Sequence, residues 1–350
     1  MDQSDSYPSE LLSSNNRYSR QMVLPQIGLD GQNKLLKSAV LIVGCGALGS
    51  AQAELLTRAG VGRIVIADRD VLELHNLQRQ LLFDELDVAE HLPKAVAAAR
   101  KLRRINCSVT IEEVVTDVTP SNIEKLIEHV DLVLDGTDNF ETRYLINDAC
   151  IKAGKPWVYG GVLGTTGIVM AIDSARGPCF RCVLPQQPNA SALPTCETLG
   201  VLNTAVLWVA ALQVTEAFKL LLGNEFSEHF LRAVDLWAGS FTSMRVVKDD
   251  RCACCSDRHF EYLEAERGSW TTVLCGRNAV QVSPAESMEV SFKVLGEKLS
   301  PFGPVSVNGL VLECKIGEQR MIIFPDGRVL VMGTTDPSLA KTLVARYIGS

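Results

Sequence analysis

The sequence lacks an uninterrupted apolar stretch of about 18 residues, the length that crosses a bilayer, and no charged segment followed by an apolar run opens it. We therefore expect neither membrane insertion nor secretion, and a cytoplasmic location. The chain also lacks a basic excess, since 34 Lys and Arg residues stand against 41 Asp and Glu residues, for a net charge of -7. Nucleic acids and anionic membranes require basic surfaces, so a small protein or a metabolite is the expected partner.

Histidine is scarce, with five residues that form no cluster of the kind used in catalytic triads. Cysteine, in contrast, occurs eleven times. A reducing compartment keeps thiols free, so these cysteines are not expected to form structural disulfides. Any organised set of cysteines must then be explained by metal binding or by catalysis.

Apolar β-type runs and helical segments alternate through most of the chain. A β run at Ala39–Val43 is followed by a Gly-rich turn, a helical stretch at Ala47–Ala59 and a second β run at Ile64–Ala67. The same alternation continues to about residue 153. It predicts a Rossmann-like, doubly wound and mostly parallel α/β sheet.

Composition marks three segments along the chain. Residues 1–16 are rich in Ser, Asp and Asn and are predicted to form a flexible leader, and residues 17–268 form the main domain. Residues 269–350 are predicted to form a small α+β domain with β runs that include Val290–Val294. Asp336 and Pro337 are a suitable cap and first residue for a last helix that runs to about Tyr347.

A G-x-G-x-x-G turn follows the first β run, with Gly44, Gly46 and Gly49 in the motif and Ala47 at the start of the next helix. Such a turn brings phosphate against free backbone N–H groups. Asp68 ends the second β run, where a carboxylate accepts hydrogen bonds from ribose hydroxyls. No Lys-Ser or Lys-Thr pair follows the glycines, so the turn is not a P-loop. The pattern favours an adenine nucleotide and leaves a redox dinucleotide and ATP as the choices.

The block from Asn76 to Gln80, together with Lys94, favours ATP. Arg79 offers a planar fork to phosphate oxygens and Lys94 a compact charge, which suits a reaction that expels pyrophosphate. Asp138 follows a predicted strand and can hold Mg²⁺ against the phosphates. Two alternatives stay open: Arg79 and Lys94 could be solvated surface charges, and Asp138 could cap the helix that begins near Glu141.

These blocks, in this order from about Arg17 to Cys255, resemble the E1-like MoeB/ThiF/HesA adenylyltransferases, prokaryotic relatives of ubiquitin-activating enzymes. The resemblance implies that Asp68 binds the ribose, that Asn76, Arg79 and Lys94 bind phosphates, and that Asp138 organises magnesium. It further implies a homodimer in which Arg20 reaches the nucleotide of the neighbouring subunit. The predicted nucleotide-binding residues are Gly44, Gly46, Ala47, Gly49, Asp68, Asp70, His75, Asn76, Leu77, Gln78, Arg79, Lys94, Asp138 and Asn139. The predicted catalytic residues are Asp138, Arg79, Lys94, Arg20 and Cys196.

Two C-x-x-C pairs, Cys179 with Cys182 and Cys252 with Cys255, have the spacing of a tetrahedral zinc site. A redox role for one pair is the alternative. Cys254 lies between the second two ligands and could replace one of them. The structural task of the metal would be to connect two distant parts of the main domain.

Cys196 aligns with the active cysteine of the family, which receives sulfur or an acyl group in some members. Relatives usually continue Gly-Val-Leu with Gly-Pro or Ala-Pro, whereas Gly200-Val201-Leu202 continues here with Asn203-Thr204. This difference leaves open whether Cys196 has a role beyond adenylation.

The resemblance predicts ATP-dependent adenylation of the C-terminal glycine carboxylate of a small ubiquitin-like sulfur carrier that ends in Gly-Gly, for molybdopterin, thiamine or related synthesis. ATP, Mg²⁺ and Zn²⁺ are the expected cofactors. Three alternatives remain at this stage: an NAD-dependent oxidoreductase, a catalytically silent docking module, and an enzyme that adenylates a tRNA-bound carboxylate. Residues 269–350 carry no sulfurtransferase active loop and end in Ile348-Gly349-Ser350, so we expect a docking or dimer-supporting role for them.

Overall fold

The structure is a computed structural model, and it describes residues 17–188, 196–224, 228–264, 271–274, 278–284 and 290–348. The chain divides into two compact units. The described residues of the first are 17–188, 200–224 and 228–264, and the second contains residues 196–199 and the described residues from 271 onward. The predicted leader and the predicted boundary at residue 268 lie outside the described residues.

The first unit is built on an eight-stranded sheet with the order β3-β2-β1-β4-β5-β6-β7-β8. The strands are β1 (Ala39–Val43), β2 (Arg63–Asp68), β3 (Thr110–Val115), β4 (Leu132–Asp135), β5 (Trp157–Leu163), β6 (Thr166–Ile172), β7 (His229–Asp235) and β8 (Ser240–Val246). Pairing is parallel from β3 to β5 and antiparallel from β5 to β8. The predicted mostly parallel, doubly wound α/β fold is confirmed.

Helices cover this sheet and connect its strands. They are α1 (Ser19–Met22), α2 (Gly28–Lys37), α3 (Ala47–Ala59), α4 (Glu85–Ala89), α5 (Lys94–Ile105), α6 (Ile123–Glu128), α7 (Phe140–Ala153), α8 (Phe180–Val183) and α9 (Asn203–Leu222), with a 3-10 turn at Leu74–Asn76. Residues 40–43 of β1 are all buried, as expected for a parallel strand with helices on both faces. The sheet therefore forms the middle layer of the unit.

Helix α9 is long and apolar enough to cross a membrane by length and composition, and among the described residues it is the one helix that meets this test. It packs against α3, β5 and β6. Its fully buried Gln213 donates hydrogen bonds to the main-chain oxygens of Asp135 and Val158. These contacts are those of a core helix.

The second unit contains a six-stranded antiparallel sheet with the order β11-β12-β13-β14-β10-β9. Its elements are β9 (Thr271–Leu274), β10 (Ala279–Val282), α10 (Phe292–Leu299), β11 (Val305–Val307), β12 (Leu312–Ile316), β13 (Gln319–Ile323), β14 (Val329–Met332) and α11 (Pro337–Tyr347). A short helix at Cys196–Leu199 also groups with this unit. Asp336 caps α11 by accepting a hydrogen bond from the Ser338 N–H at 2.8 Å, as the sequence predicts.

The predicted strand at Val290–Val294 is wrong, because this segment enters helix α10. Phe292, Leu295 and Leu299 recur at helical spacing, and the last two are buried in the core of the second unit. The alternation at 290–294 is too short to exclude a helix. Spacing over the longer segment decides the type of element.

Three glycines hold the ends of β1 and β4 together. A Cβ on Gly49 would lie 1.9 Å from the Gly44 carbonyl oxygen, and a Cβ on Gly136 would lie 2.3 Å from the same oxygen. Gly44 itself has a φ of +87°, a conformation that favours glycine. Backbone therefore contacts backbone at the point where the two strands end.

We expect Gly49→Ala to destabilise the protein by about 3 kcal/mol or more, since the new methyl group clashes with main chain that cannot rotate away. The measurement is urea unfolding followed by circular dichroism. Gly296→Ala is the control, because it lies in helix α10 and its Cβ would meet Leu312 at an ordinary 3.6 Å. The control should be neutral or slightly stabilising. Equal midpoints for the two variants would contradict the close packing of the strand ends.

Candidate nucleotide site and cysteine cluster

Three neighbouring strands end at one edge of the sheet and present the predicted site. The glycine turn follows β1, Asp68 ends β2, and Asp138 lies in the loop after β4. The sheet order β2-β1-β4 makes these strands neighbours, and the direction of the connections changes between β1 and β4. Ligands of open α/β sheets bind at such a switch point, outside the carboxyl ends of the strands.

The glycine turn leads directly into helix α3. Gly46 is the residue before the helix, and no side chain in the described part of the chain caps the first N–H groups. These groups and the helix dipole together form a site that favours an anion. The predicted phosphate-binding role of Gly44, Gly46, Ala47 and Gly49 is compatible with this geometry.

Asp68 connects the glycine turn to the segment after β2. Its carboxylate accepts hydrogen bonds from the Cys45 N–H at 2.5 Å and from the Asp70 N–H at 2.7 Å. Burial raises the pKa of Asp68, and the nearby Lys94 charge opposes this shift. The carboxylate is thus fixed beside the turn, where further lone pairs can accept hydrogen bonds from hydroxyl groups.

Lys94 is buried and paired, so the alternative of a solvated surface charge is wrong for this residue. Its side chain is 1% exposed, and Nζ lies 3.1 Å from Asp70 Oδ2. The Lys94 N–H also donates to the Asp70 main-chain oxygen at 2.9 Å. Because the Asp70 main-chain N–H donates to the Asp68 carboxylate, these three residues form one connected chain of contacts.

The block from His75 to Gln78 forms a closed turn. Asn76 is fully buried; its Oδ1 accepts from the Glu73 N–H at 3.1 Å and its Nδ2 lies 3.0 Å from His75 Nε2. Arg79 is half-buried and donates to the His75 oxygen at 3.0 Å. Leu77 is half-buried and Gln78 is exposed. Asn76 therefore fixes the turn in this structure.

Buried hydrogen bonds fix the loop after β4, whereas Asp138 in the same loop is exposed. Arg143 donates to Asp135 Oδ2 at 3.1 Å and to the Thr137 oxygen at 2.9 Å, and both side chains of the ion pair are buried. Burial opposes the charge of Arg143, but the nearby carboxylate of Asp135 and, more weakly, that of Asp138 raise its pKa. Asn139 Oδ1 accepts from the Thr142 N–H, so Asn139 caps α7. The capping alternative for Asp138 is therefore wrong.

Two predicted catalytic residues lie outside this cluster of contacts. Arg20 is exposed in α1, and no hydrogen bond or ion pair among the described residues joins it to the strand ends. Cys196 begins the short helix Cys196–Leu199, but its side chain lies outside the described residues. The roles given to these residues stay predictions.

Three residues that organise the site are missing from the predicted site residues, although Gln80 belongs to the polar block that favours ATP. Arg143 holds the Asp138 loop, Asp117 pairs with Arg69 at 3.0 Å, and the Gln80 side chain is buried beside the glycine turn. Burial opposes the charge of Arg69, but Asp117, Asp70 and Asp138 outweigh it and raise its pKa. The one available signal was the position of Arg143 on the first turn of the helix after Thr137-Asp138-Asn139.

The four predicted cysteine ligands come together in the first unit. The sulfur atoms of Cys179, Cys182, Cys252 and Cys255 all lie within 4.8 Å of one another. Cys179 Sγ is 3.6 Å from Cys252 Sγ, and Cys182 Sγ is 3.5 Å from Cys255 Sγ. Tetrahedral zinc–thiolate geometry requires sulfur atoms about 3.8 Å apart. The cluster therefore fits a metal ion of this kind.

Cys254 has a different environment from the four clustered thiols. It is fully buried, and its Sγ lies 3.1 Å from the Asn147 Nδ2 donor. The set with mutual sulfur distances below 4.8 Å excludes it. Cys252 and Cys255 are therefore the second pair that could hold a metal ion.

The fold and the site at the carboxyl ends of β1, β2 and β4 together define the class of this protein. It is a Rossmann-like α/β protein of the class that binds nucleotides at its switch point. Residues 18–255 match the model of the ThiF family, and the chain belongs to this family. The family membership predicted from the sequence is thus confirmed.

The chain is similar to the sulfur carrier protein ThiS adenylyltransferase of Bacillus subtilis, with 43% identity over 95% of this chain and 99% of the relative. It is also similar to a sulfur carrier protein adenylyltransferase of Thermus thermophilus, with 38% identity over 69% of this chain and 91% of the relative. Among solved structures, E. coli MccB in complex with MccA-N7isoASN has a TM-score of 0.60 at 20% identity, covering 71% of this chain and 77% of that chain. This last likeness concerns the fold.

We expect Cys182→Ser to lower the metal content of the purified protein from about one ion per chain to nearly none, because tetrahedral sites need all four thiolates. Thermal stability should fall with it. The matched control is Cys254→Ser, which changes a buried thiol outside the cluster and should retain the metal. The measurement is elemental analysis by mass spectrometry after dialysis. Loss of metal from the Cys254 variant alone would contradict the ligand assignment.

Proposed function

We propose that this chain is an ATP-dependent adenylyltransferase that activates the C-terminal carboxylate of a small sulfur-carrier protein. The observation that carries the proposal is the continuous contact from the glycine turn through Asp68 and Asp70 to buried Lys94. It supports a ribose-binding role for Asp68 and a phosphate-binding role for Lys94 in one site. The names of the B. subtilis and T. thermophilus relatives support the same activity and the same substrate class.

The proposed reaction needs no protein nucleophile. An oxygen of the carrier carboxylate attacks the α-phosphorus of ATP, the bond from that phosphorus to the bridging oxygen breaks, and pyrophosphate leaves with the electron pair. The products are an acyl-adenylate and pyrophosphate. Catalysis then depends on positioning and on stabilising negative charge, as in phosphoryl transfer generally.

Different residues of this chain are proposed to position the nucleotide and to stabilise negative charge. The free N–H groups at the start of α3 hold phosphate oxygens, Asp68 orients the ribose, and Lys94 stabilises charge on the phosphates. Arg79 and the rim residues His75 to Gln78 are proposed to close over the nucleotide. Asp138 and Asn139 are proposed to hold Mg²⁺, which neutralises phosphate charge when bound.

The cysteine cluster is proposed to hold Zn²⁺ in a structural role. The four cysteines come from the segment after β6 and the segment after β8, so a bound ion would join two connections that are far apart in the sequence. Thiolates would occupy all four positions of a tetrahedral ion, which would leave no open position for substrate. This arrangement supports a structural role for the metal and does not support catalysis at the metal.

The B. subtilis relative, which matches this chain over nearly its full length, is named for ThiS, so we propose a ThiS-type carrier ending in Gly-Gly and a role in thiamine synthesis. A MoaD-type carrier is the second candidate, since other relatives are named adenylyltransferase and sulfurtransferase MOCS3. A homodimer completed by Arg20 and a cytoplasmic location remain part of the proposal. The same names leave an NAD-dependent oxidoreductase without support.

Carrier-dependent exchange of labelled pyrophosphate into ATP tests the activity. The purified chain with MgATP and a ThiS-type carrier should exchange label, and omission of the carrier or removal of its last glycine should abolish exchange. A MoaD-type carrier is assayed in parallel. Absence of exchange with both carriers would overturn the proposed function.

Asp138→Asn should lower the exchange rate by about 100-fold, because loss of one charge at the transferring phosphate removes a large electrostatic contribution. Asp131→Asn is the matched control. It lies at the opposite end of the same strand, where its Oδ2 accepts from the Ala39 N–H at 2.8 Å. An amide oxygen can retain that bond, so the control should exchange at the wild-type rate. Equal rates for both variants would remove Asp138 from the mechanism.

A further inference from the structure

Helix α7 is attached at its start to the loop that carries Asp138. Asn139 caps the helix, and Arg143, on its first turn, donates to the Thr137 main-chain oxygen at 2.9 Å. The residues from Arg143 to Ile151 are all buried. A helix that is packed along most of its length shifts as one body, so the position of this loop depends on what holds the rest of α7.

Asn147 joins the same helix to both cysteine turns. Its side chain is fully buried. Its Oδ1 accepts a hydrogen bond from the Phe180 N–H at 3.0 Å, in the first cysteine turn, Cys179–Cys182. Its Nδ2 donates to Cys254 Sγ at 3.1 Å, in the second cysteine turn, Cys252–Cys255. One side chain of α7 therefore contacts both halves of the candidate metal site.

Two neighbours of Asn147 on α7 strengthen this attachment. The Tyr144 ring packs edge-on against the Phe180 ring, with 5.2 Å between the centroids. Asp148 Oδ2 accepts from the Tyr262 N–H at 2.9 Å. Positions three and four residues apart are neighbours on a helix, so these contacts come from one face of α7. About 12 Å of helix separates the Asp138 loop from the cysteine turns.

A metal ion changes how firmly the cysteine turns hold α7. Four thiolates whose sulfur atoms lie within 4.8 Å of one another repel, and a bound ion replaces this repulsion by coordination. The two turns are then fixed to each other, and the groups that Asn147 contacts are fixed with them. Replacement of a residue that orients metal ligands typically lowers metal affinity by about 10–100-fold.

We propose that the metal ion and the nucleotide bind cooperatively through helix α7, and that Asn147 is the positioning residue that carries the coupling. Metal at the cysteine turns fixes α7, and α7 fixes the Asp138 loop. A nucleotide bound at that loop fixes α7 in return, because coupling between binding sites is reciprocal. The proposal rests on the proposed function in taking ATP and zinc as the two ligands.

Competition for zinc between the full-length protein and a chromophoric chelator, measured at equilibrium with and without MgATP, tests the coupling. MgATP should raise the zinc affinity of the wild-type protein at least about fivefold, the lower end of coupling between two sites. Asn147→Leu removes both polar contacts at a similar side-chain size. Its zinc affinity should fall at least about tenfold and should no longer respond to MgATP. Free ATP can only take zinc away, so a higher affinity identifies nucleotide bound to the protein.

Two variants of Cys254 test one end of the link. Serine retains an acceptor for Asn147 Nδ2, whereas alanine does not. Cys254→Ser should therefore respond to MgATP as the wild-type protein does, and Cys254→Ala should respond less. The control on the same helix is Lys152→Gln, which changes an exposed ion pair with Glu124 and should match wild type in zinc affinity and in the response to MgATP.

The response to MgATP separates this role from a purely structural one. If zinc only held the fold together, MgATP would raise the zinc affinity of the wild-type protein and of Asn147→Leu by the same factor, and that result would overturn the proposal. A wild-type zinc affinity that MgATP leaves unchanged would overturn it as well. Should Asn147→Leu fail to fold, as judged by circular dichroism, equal responses of the two Cys254 variants would decide against the proposal.

These measurements use no carrier and no turnover. Failure of carrier-dependent pyrophosphate exchange in the wild-type protein would therefore sink the proposed function and leave the coupling between zinc and nucleotide intact. Exchange that proceeds normally, with no effect of MgATP on zinc affinity, would have the opposite meaning.

Discussion

The contact on which the site depends is the approach of main chain to main chain where β1 and β4 end. The Gly44 carbonyl oxygen occupies the space that a Cβ of Gly49 or Gly136 would need. This contact brings the start of α3 against the loop that carries Asp138. Two segments separated by about ninety residues thereby form one surface, and every later feature of the site is positioned relative to it.

A network of buried polar side chains contacts the end of β4 beneath that surface. The side chains of Gln52 and Gln213 both donate to the Asp135 main-chain oxygen at 2.9 Å, and Gln52 also donates to Gln213 Oε1 at 2.6 Å. The Asp135–Arg143 pair continues the network toward the Asp138 loop. A buried ion pair contributes little net stability, because desolvation offsets attraction, but it allows few alternative arrangements. We interpret the network as a device that fixes the loop.

The parts of this site that the sequence predicts are those whose chemistry depends on local spacing. The glycine turn, Asp68 and the two C-x-x-C pairs are each read within a few residues, and the structure brings the four cysteines together. Gln213 could not be predicted, because its role depends on a strand more than fifty residues away. The sequence shows Gln80 only as one member of a polar block, because the burial of its side chain is a property of packing.

Helix α10 illustrates the same limit in the second unit. A five-residue alternation at 290–294 predicts a strand, but burial of Leu295 and Leu299 against the sheet selects a helix. Tertiary packing overrides a short local pattern, because the free energy of burying a face exceeds that of local propensity. Strands β12 to β14, in contrast, form part of the antiparallel sheet of the second unit.

The charges around the site limit the ways in which a nucleotide can be attracted to it. The protein is acidic overall, and two cations of the site are already paired, Lys94 with Asp70 and Arg69 with Asp117. Long-range attraction therefore cannot account for binding of a triphosphate. Under the proposed function, directed hydrogen bonds from the start of α3 and from Arg79, and a cation brought with the nucleotide, are the remaining sources of affinity. The carboxylates of Asp68, Asp70 and Asp138 near the phosphates would otherwise repel them, which is the physical reason to propose that ATP enters as its magnesium complex.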